Sequence, residues 1–249
     1  MHFSTLLIPL LAGAATAQNP SCSPTSSDTQ VLQFASGLSS FIGGFFNSTV
    51  NSAFPNSSNA TMQAQKRIIM GVERDNTLGS QAIDKVGAMA PGFTAPSCSF
   101  TYPMPNSTQA WAFWAARLET TVTGAFVALA GFTQSPEVSF LMARLAASHS
   151  SHATLIGSRV NSTLFAQNAT SLVAAFPPDQ VLSTRNETGS LGMFFGGCLT
   201  APQSPCGPLA IGPLAATPSS GAASSTPMSS TPMSSTPVAS STAAAIRKH

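Results

Sequence analysis

Charged side chains are scarce in this chain, with eight acidic and ten basic residues among 249 and a formal net charge of +2. No basic run or stripe occurs, so the electrostatic footprint of nucleic-acid binding is missing. Cysteine is nearly as sparse. Cys22, Cys98, Cys198 and Cys206 are the full set, and none stands at the CxxC spacing of zinc or redox motifs. There is no Gly-x-Ser-x-Gly elbow, no phosphate-cradling P-loop and no His-Glu-x-x-His helix, which removes the common hydrolase, nucleotide-dependent and zinc-protease readings. No apolar run reaches the roughly 20 residues that a membrane-spanning helix needs.

What is present points first to export. Residues Leu6 to Ala14 form a short apolar run followed by Ala15-Thr16-Ala17, the small-residue pattern of a signal peptide covering residues 1–17 and cleaved before Gln18. Asn47, Asn56, Asn59, Asn106, Asn161, Asn168 and Asn186 each precede Ser or Thr by two positions without an intervening proline, so each is a candidate N-glycosylation site and a surface marker. In that compartment the cysteines are expected to form two disulfides, with three pairings open. From Thr217 the chain turns into Ser, Thr, Pro and Ala, with Ser-Ser-Thr-Pro-Met at 224–228 and again at 229–233. Residues 217–249 are therefore expected to be a disordered, O-glycosylated tail. They end in Ile246-Arg247-Lys248-His249 rather than the apolar tail of a lipid-anchor signal.

The residues between, 18–216, are read as one all-α domain. Helix one opens with Ser27 and Gln30 in capping-box register, places Val31, Ala35, Leu38, Ile42 and Phe45 on one face, and ends near Phe46. Helix two runs from about Thr61 to Ala88 with Ile69, Val72 and Ile83 as its stripe. Helix three runs from about Ser107 to Gly131, capped by Asn106 with Gln109, with Trp111, Ala115, Leu118, Val122, Ala125 and Leu129 inward. Helix four begins at Ser135-Pro136 and runs to about Arg159, its stripe Met142, Leu145, His149, His152 and Ile156. The connection at 89–106 is long and those on either side of it are shorter. A long crossover between helices two and three is what separates a ferritin-like four-helix bundle from a simple up-and-down one. Segment 160–216 is expected to cover the bundle, with a short helix over 164–176 and an apolar packing segment over 191–198.

A two-metal site in such a bundle takes one Glu from each of two helices and a Glu-x-x-His pair from each of the others. Here helix one offers Ser39, helix two Glu73 and Asn76, helix three Glu119, and helix four His149 and His152. Glu73 and Glu119 are acids in apolar helical surroundings, where an unpaired carboxylate costs several kcal/mol.

Val31-Leu32-Gln33-Phe34-Ala35, the Glu73 region, Cys98-Ser99-Phe100-Thr101-Tyr102-Pro103, Leu118-Glu119 with Val122 and Ala125, and the His152 helix together resemble the secreted fungal ferritin-like proteins grouped with stress-response and late sexual-development proteins. The resemblance covers roughly residues 29–200. It implies a ferritin-like domain, with iron or a similar metal in members that keep a full site. Three positions depart from that pattern: Ser39 and His149 stand where Glu is expected, and Asn76 where His is expected. The expectation is therefore a secreted glycoprotein with a degenerate metal site, no catalytic residue and no resident cofactor, acting at the cell wall or extracellular matrix. The alternative is a single iron, zinc or manganese ion on Glu73, Glu119, His149 and His152, in an oxidoreductase or a metal scavenger. Without a metal, His149 and His152 are neutral core histidines bonded to the acids.

Overall fold

The computed structural model describes residues 22–55, 59–159 and 173–207. The expected leader, the Ser/Thr/Pro tail and the sequons at Asn56, Asn161 and Asn168 lie outside them. Four long helices carry the architecture: α1 (Ser26–Ala53), α2 (Ala60–Gly87), α3 (Thr108–Ala130) and α4 (Pro136–Arg159). Two short ones follow, α5 (Pro178–Val181) and α6 (Gly192–Phe195).

The start of α1 differs from the capping box expected at Ser27 and Gln30. Thr25 is the N-cap and Asp28 its partner, with Thr25 N–H donating to Asp28 Oδ2 at 2.8 Å and Asp28 N–H donating back to the Thr25 hydroxyl. A carboxylate in the first turn also suits the positive end of the helix dipole. Asp28 does a second job from the same place. It is fully buried, and its Oδ1 accepts the backbone N–H groups of Gln134 at 2.7 Å and Ser135 at 3.3 Å, which ties the turn between α3 and α4 to the head of α1.

The helix also runs on to Ala53 rather than stopping at Phe46. Thr49, Val50 and Ala53 continue the buried stripe, and Pro55 blocks further helix. Asn47 is exposed on this last stretch while Thr49, two residues on, is 2% exposed. The Thr49 hydroxyl donates to Phe45 O and accepts the indole N–H of buried Trp111 at 2.7 Å. Phe45, Phe46 and Phe54 surround that indole. Asn59 caps α2. Ser107, not Asn106, caps α3, because its hydroxyl reaches Ala110 N–H while Asn106 stays exposed. Ser135 with Pro136 opens α4 as expected.

Cross-bundle bonds fix the helix directions. Asp28 meets Gln134 and Ser135, Thr49 meets Trp111, and Ala53 O accepts from the Thr108 hydroxyl, so α1 and α3 are antiparallel. The Thr29 hydroxyl donates to Pro91 O, which puts the segment after α2 beside the beginning of α1 and makes those two antiparallel as well. Helices α2 and α3 therefore point the same way, and the chain between them must travel the length of the bundle. It does so along α1: Gln33 bonds Thr94 O, Tyr102 packs on Gly44, and Thr108 reaches Ala53. A side chain at Gly44 would collide with the Tyr102 hydroxyl, so the glycine permits this close approach. Helix α4 returns antiparallel to α3. These directions match the crossover expected from the connection lengths, and the regular elements among the described residues are helices with no extended sheet.

The C-terminal segment retraces the crossover in the opposite direction. Thr101 N–H bonds Phe194 O, Leu199 sits against Gly37, and Gln203 N–H reaches the Gln30 side chain. Leu191, Phe195 and Leu199 are buried, as expected for a covering segment. Phe41 of α1 takes the rings of Phe100, Tyr102, Phe194 and Phe195 around it. The helix expected over 164–176 lies mostly outside the described residues, and its described end, 173–176, is not helical.

Cys98 and Cys198 join the two segments of this strap, with Cα atoms 5.6 Å apart and a sequence separation of 100. Among the described residues the bridge seen is Cys98–Cys198 and the second expected one is not; Cys22 and Cys206 are exposed, with Cys22 O held by the Ser135 hydroxyl and the approach to Cys206 held by Gln30. Among the described residues no helix is long and apolar enough to cross a membrane.

Two stability measurements check this account. Asp28→Ala removes a cap and leaves two buried N–H groups of the α3–α4 turn unpaired, so urea unfolding should show a loss of about 2–4 kcal/mol. Replacing Cys98 and Cys198 together by Ser should cost about 2–5 kcal/mol in the same assay.

Candidate metal centre

Each long helix after α1 brings a polar group to one point in the apolar core. Glu119 of α3 is fully buried, flanked on its helix by Ala115, Leu118 and Val122. From α4, His149 and His152 turn inward at 2% and 4% exposure. Three residues apart on a helix, they present their rings on one face. From α2, Asn76 is 4% exposed and its amide Nδ2 donates to Glu119 Oε1 at 3.3 Å.

His149 Nδ1 lies 2.5 Å from Glu119 Oε2, a short charge-assisted contact. The face of His149 stacks on Phe126 with centroids 5.2 Å apart, so the ring has no freedom to swing out. His152 Nδ1 lies 3.5 Å from Glu119 Oε1 but is misaligned and forms no hydrogen bond. Its other nitrogen, Nε2, faces the exposed Asp75 carboxylate at 3.6 Å and the Ser148 hydroxyl at 3.5 Å. Two buried polar atoms at this centre lack a partner, His152 Nδ1 and Asn76 Oδ1.

Burial alone would raise the pKa of Glu119, but the nearby His149, through charge and its hydrogen bond, and the charge of His152 outweigh it and hold the carboxyl at about 2. Burial likewise works against a charge on His152, and here too it loses: Glu119 on one side and Asp75 on the other raise its pKa. The centre is a buried anion facing His152, whose imidazole becomes more basic because of it.

The donor chemistry fits one metal ion. One ligand atom each from Glu119, His149 and His152 lies within 4.8 Å of the others, and a tetrahedral ion with bonds of roughly 2.1 Å holds its ligands about 3.4 Å apart. Placing an ion there requires the Glu119–His149 contact to open from 2.5 Å. Two nitrogens and a carboxylate suit iron(II), zinc or manganese(II). Two ions do not fit, because Glu119 is the only carboxylate in the group. Of the expected ligands, Glu73 is not brought in: it is half-buried on α2, one turn before Asn76. Ser39 is buried on α1. Asp75, which the sequence pattern gave no reason to select, is the α2 acid that approaches His152, from the solvent side and outside the ligand group.

With this geometry in view, a family model described as a ferritin-like domain matches residues 27–162, more than half of the chain, and the chain belongs to the ferritin-like domain family. Curated proteins and solved structures gave no match to the chain. The matched span runs from the head of α1 through α4 and so contains Asp75, Asn76, Glu119, His149 and His152.

The pKa shifts set a stability window for the metal-free protein. The Glu119 contribution is present above its usual 4.5 and is lost as pH falls toward about 2. The His152 contribution is complete below its usual 6.5 and is lost as pH rises through the higher folded-state value. Thermal melting in a chelator should therefore be highest between about pH 4.5 and 6.5 and decline on both sides. Glu119→Gln should flatten the acid limb.

Proposed function

We propose that this chain is an exported ferritin-like glycoprotein whose bundle holds a single divalent ion, iron, zinc or manganese, on Glu119, His149 and His152. The observation that carries this is the pair of buried polar atoms without a hydrogen-bond partner, His152 Nδ1 and Asn76 Oδ1, set beside the buried carboxylate of Glu119. Leaving each unpaired costs about 1–3 kcal/mol. One cation with its bound water relieves that cost. Where such an ion is bound it supplies Lewis acidity or, for iron, redox chemistry. The chain itself supplies a dry apolar wall from Phe126, Leu118 and Val122, a fixed ring at His149, and an anion at Glu119 that balances one positive charge.

Export and glycosylation rest on the leader pattern, the sequons and the Ser/Thr/Pro tail. Asn47, Asn59, Asn106 and Asn186 are all exposed, and a sugar on Asn59 leaves free the side-chain oxygen that caps α2. The Cys98–Cys198 disulfide suits an oxidising compartment. A role at the cell wall or matrix, in stress or sexual development, follows the resemblance to the secreted fungal proteins.

A second reading keeps the bundle free of metal. It is favoured by the 2.5 Å approach of His149 to Glu119, which is closer than two ligands of one ion stand and already gives the acid a partner. In that case the centre is a buried polar cluster and the protein is a non-catalytic scaffold. Elemental analysis of untagged protein separates the two. The metal reading expects about one ion per chain, lost in Glu119→Ala and His152→Ala. Metal-free wild-type protein after incubation with iron(II), zinc and manganese(II) supports the scaffold instead.

A further inference from the structure

His152 stands between two carboxylates of opposite situation. Glu119, fully buried, faces its Nδ1, and Asp75, with its side chain 56% exposed, faces its Nε2. A histidine can give only one nitrogen to an ion in this centre, and the nitrogen it gives is decided by where the remaining proton is held. Nδ1 is the inward nitrogen, buried and without a hydrogen-bond partner. Nε2 is the outward one.

Resting on the single-ion reading above, we propose that Asp75 is a positioning residue for the centre: by holding the Nε2 proton of His152 from the solvent edge of α2, it leaves Nδ1 as the nitrogen that binds the ion. The Ser148 hydroxyl, 3.5 Å from the same Nε2, cannot set this choice, because a hydroxyl donates and accepts equally well. A carboxylate only accepts. An Nε2 lone pair turned toward it would be repelled, so the proton stays on the outer nitrogen. At 3.6 Å the contact is longer than a hydrogen bond, and the exposed Asp75 side chain closes that gap by a small rotation without disturbing the core.

Asp75 and Asn76, neighbours on α2, thus divide the task. Asn76 points inward and steadies the Glu119 carboxylate through its Nδ2, while Asp75 grips the far side of a ligand on α4. The two contacts lock α2 to the centre although α2 gives it no carboxylate ligand.

Cobalt(II), a coloured stand-in for iron(II) and zinc, tests the proposal by competition with a chromophoric chelator. Wild-type protein should take up one ion and Glu119→Gln none. Asp75→Ala should keep the stoichiometry but bind about 10–100-fold more weakly, as loss of a carboxylate behind a ligating histidine does elsewhere, and Asp75→Glu should recover most of the affinity. A purely structural role for Asp75 would not move a second readout. In the zinc-loaded protein, nitrogen-15 spectra of the histidines should show His152 protonated at Nε2 and metal-bound at Nδ1, with the Nε2 proton signal lost by exchange in Asp75→Ala. Asp75→Ala that binds as tightly as wild type, or His152 bound through Nε2, overturns this inference alone. Wild-type protein that binds no cobalt(II) overturns the single-ion reading and this inference with it.

Discussion

A single carboxylate placed where water cannot reach it governs the interior of this protein. Glu119 has no exposed surface, and the desolvation of an isolated anion there would outweigh most of what a domain this size gains by folding. Its neighbours are therefore not optional. His149 answers one oxygen, Asn76 the other, and His152 adds charge from the second side. Because those groups come from α2 and α4, satisfying one acid on α3 fixes the rotation of three helices at once.

The chain directions make that convergence available. With α2 and α3 parallel and α4 antiparallel to both, the middle of each faces the others, and the cost is a connection that must run back along the whole bundle. Here that connection is not a loose loop. It lies along α1, paired with the returning segment and stitched to it by Cys98–Cys198, so that α1 is covered by a strap of aromatic side chains on its outer side. The aromatic packing around Phe41 and Trp111 and the polar centre around Glu119 lie on the same frame yet use different chemistry. The first excludes water through size, and the second tolerates polarity only because each group finds an opposite.

Much of this could be read before any coordinates. Apolar spacing located all four long helices, and their connection lengths implied the crossover, because burial of a stripe at helical period leaves a direct trace in sequence. His149 and His152 stood out because they fall in the apolar stripe of helix four at the spacing of a Glu-x-x-His pair. The ends were harder. Thr25 and Asp28 carry the same cap spacing as Ser27 and Gln30, and what chose between them is a bond to Gln134, more than one hundred residues away in sequence and invisible to local pattern. Helix one was expected to end near Phe46, yet it carries the exposed Asn47 and runs on to Ala53. Glu73 and Asp75 are separated by two positions, a rotation of roughly 200° on a helix, and only the orientation of α2 against α4 decided which of them meets His152.

Thr49 belongs at once to the sequon of Asn47 and to the seat of Trp111. In the finished bundle its hydroxyl is sealed against the indole, so an enzyme that must read Asn47-Ser48-Thr49 in extended form can do so only during synthesis, before the third helix has been delivered. Sugar at Asn47 would then be a timestamp: chains that folded quickly would lack it, and its occupancy would measure how long the nascent chain lingered open.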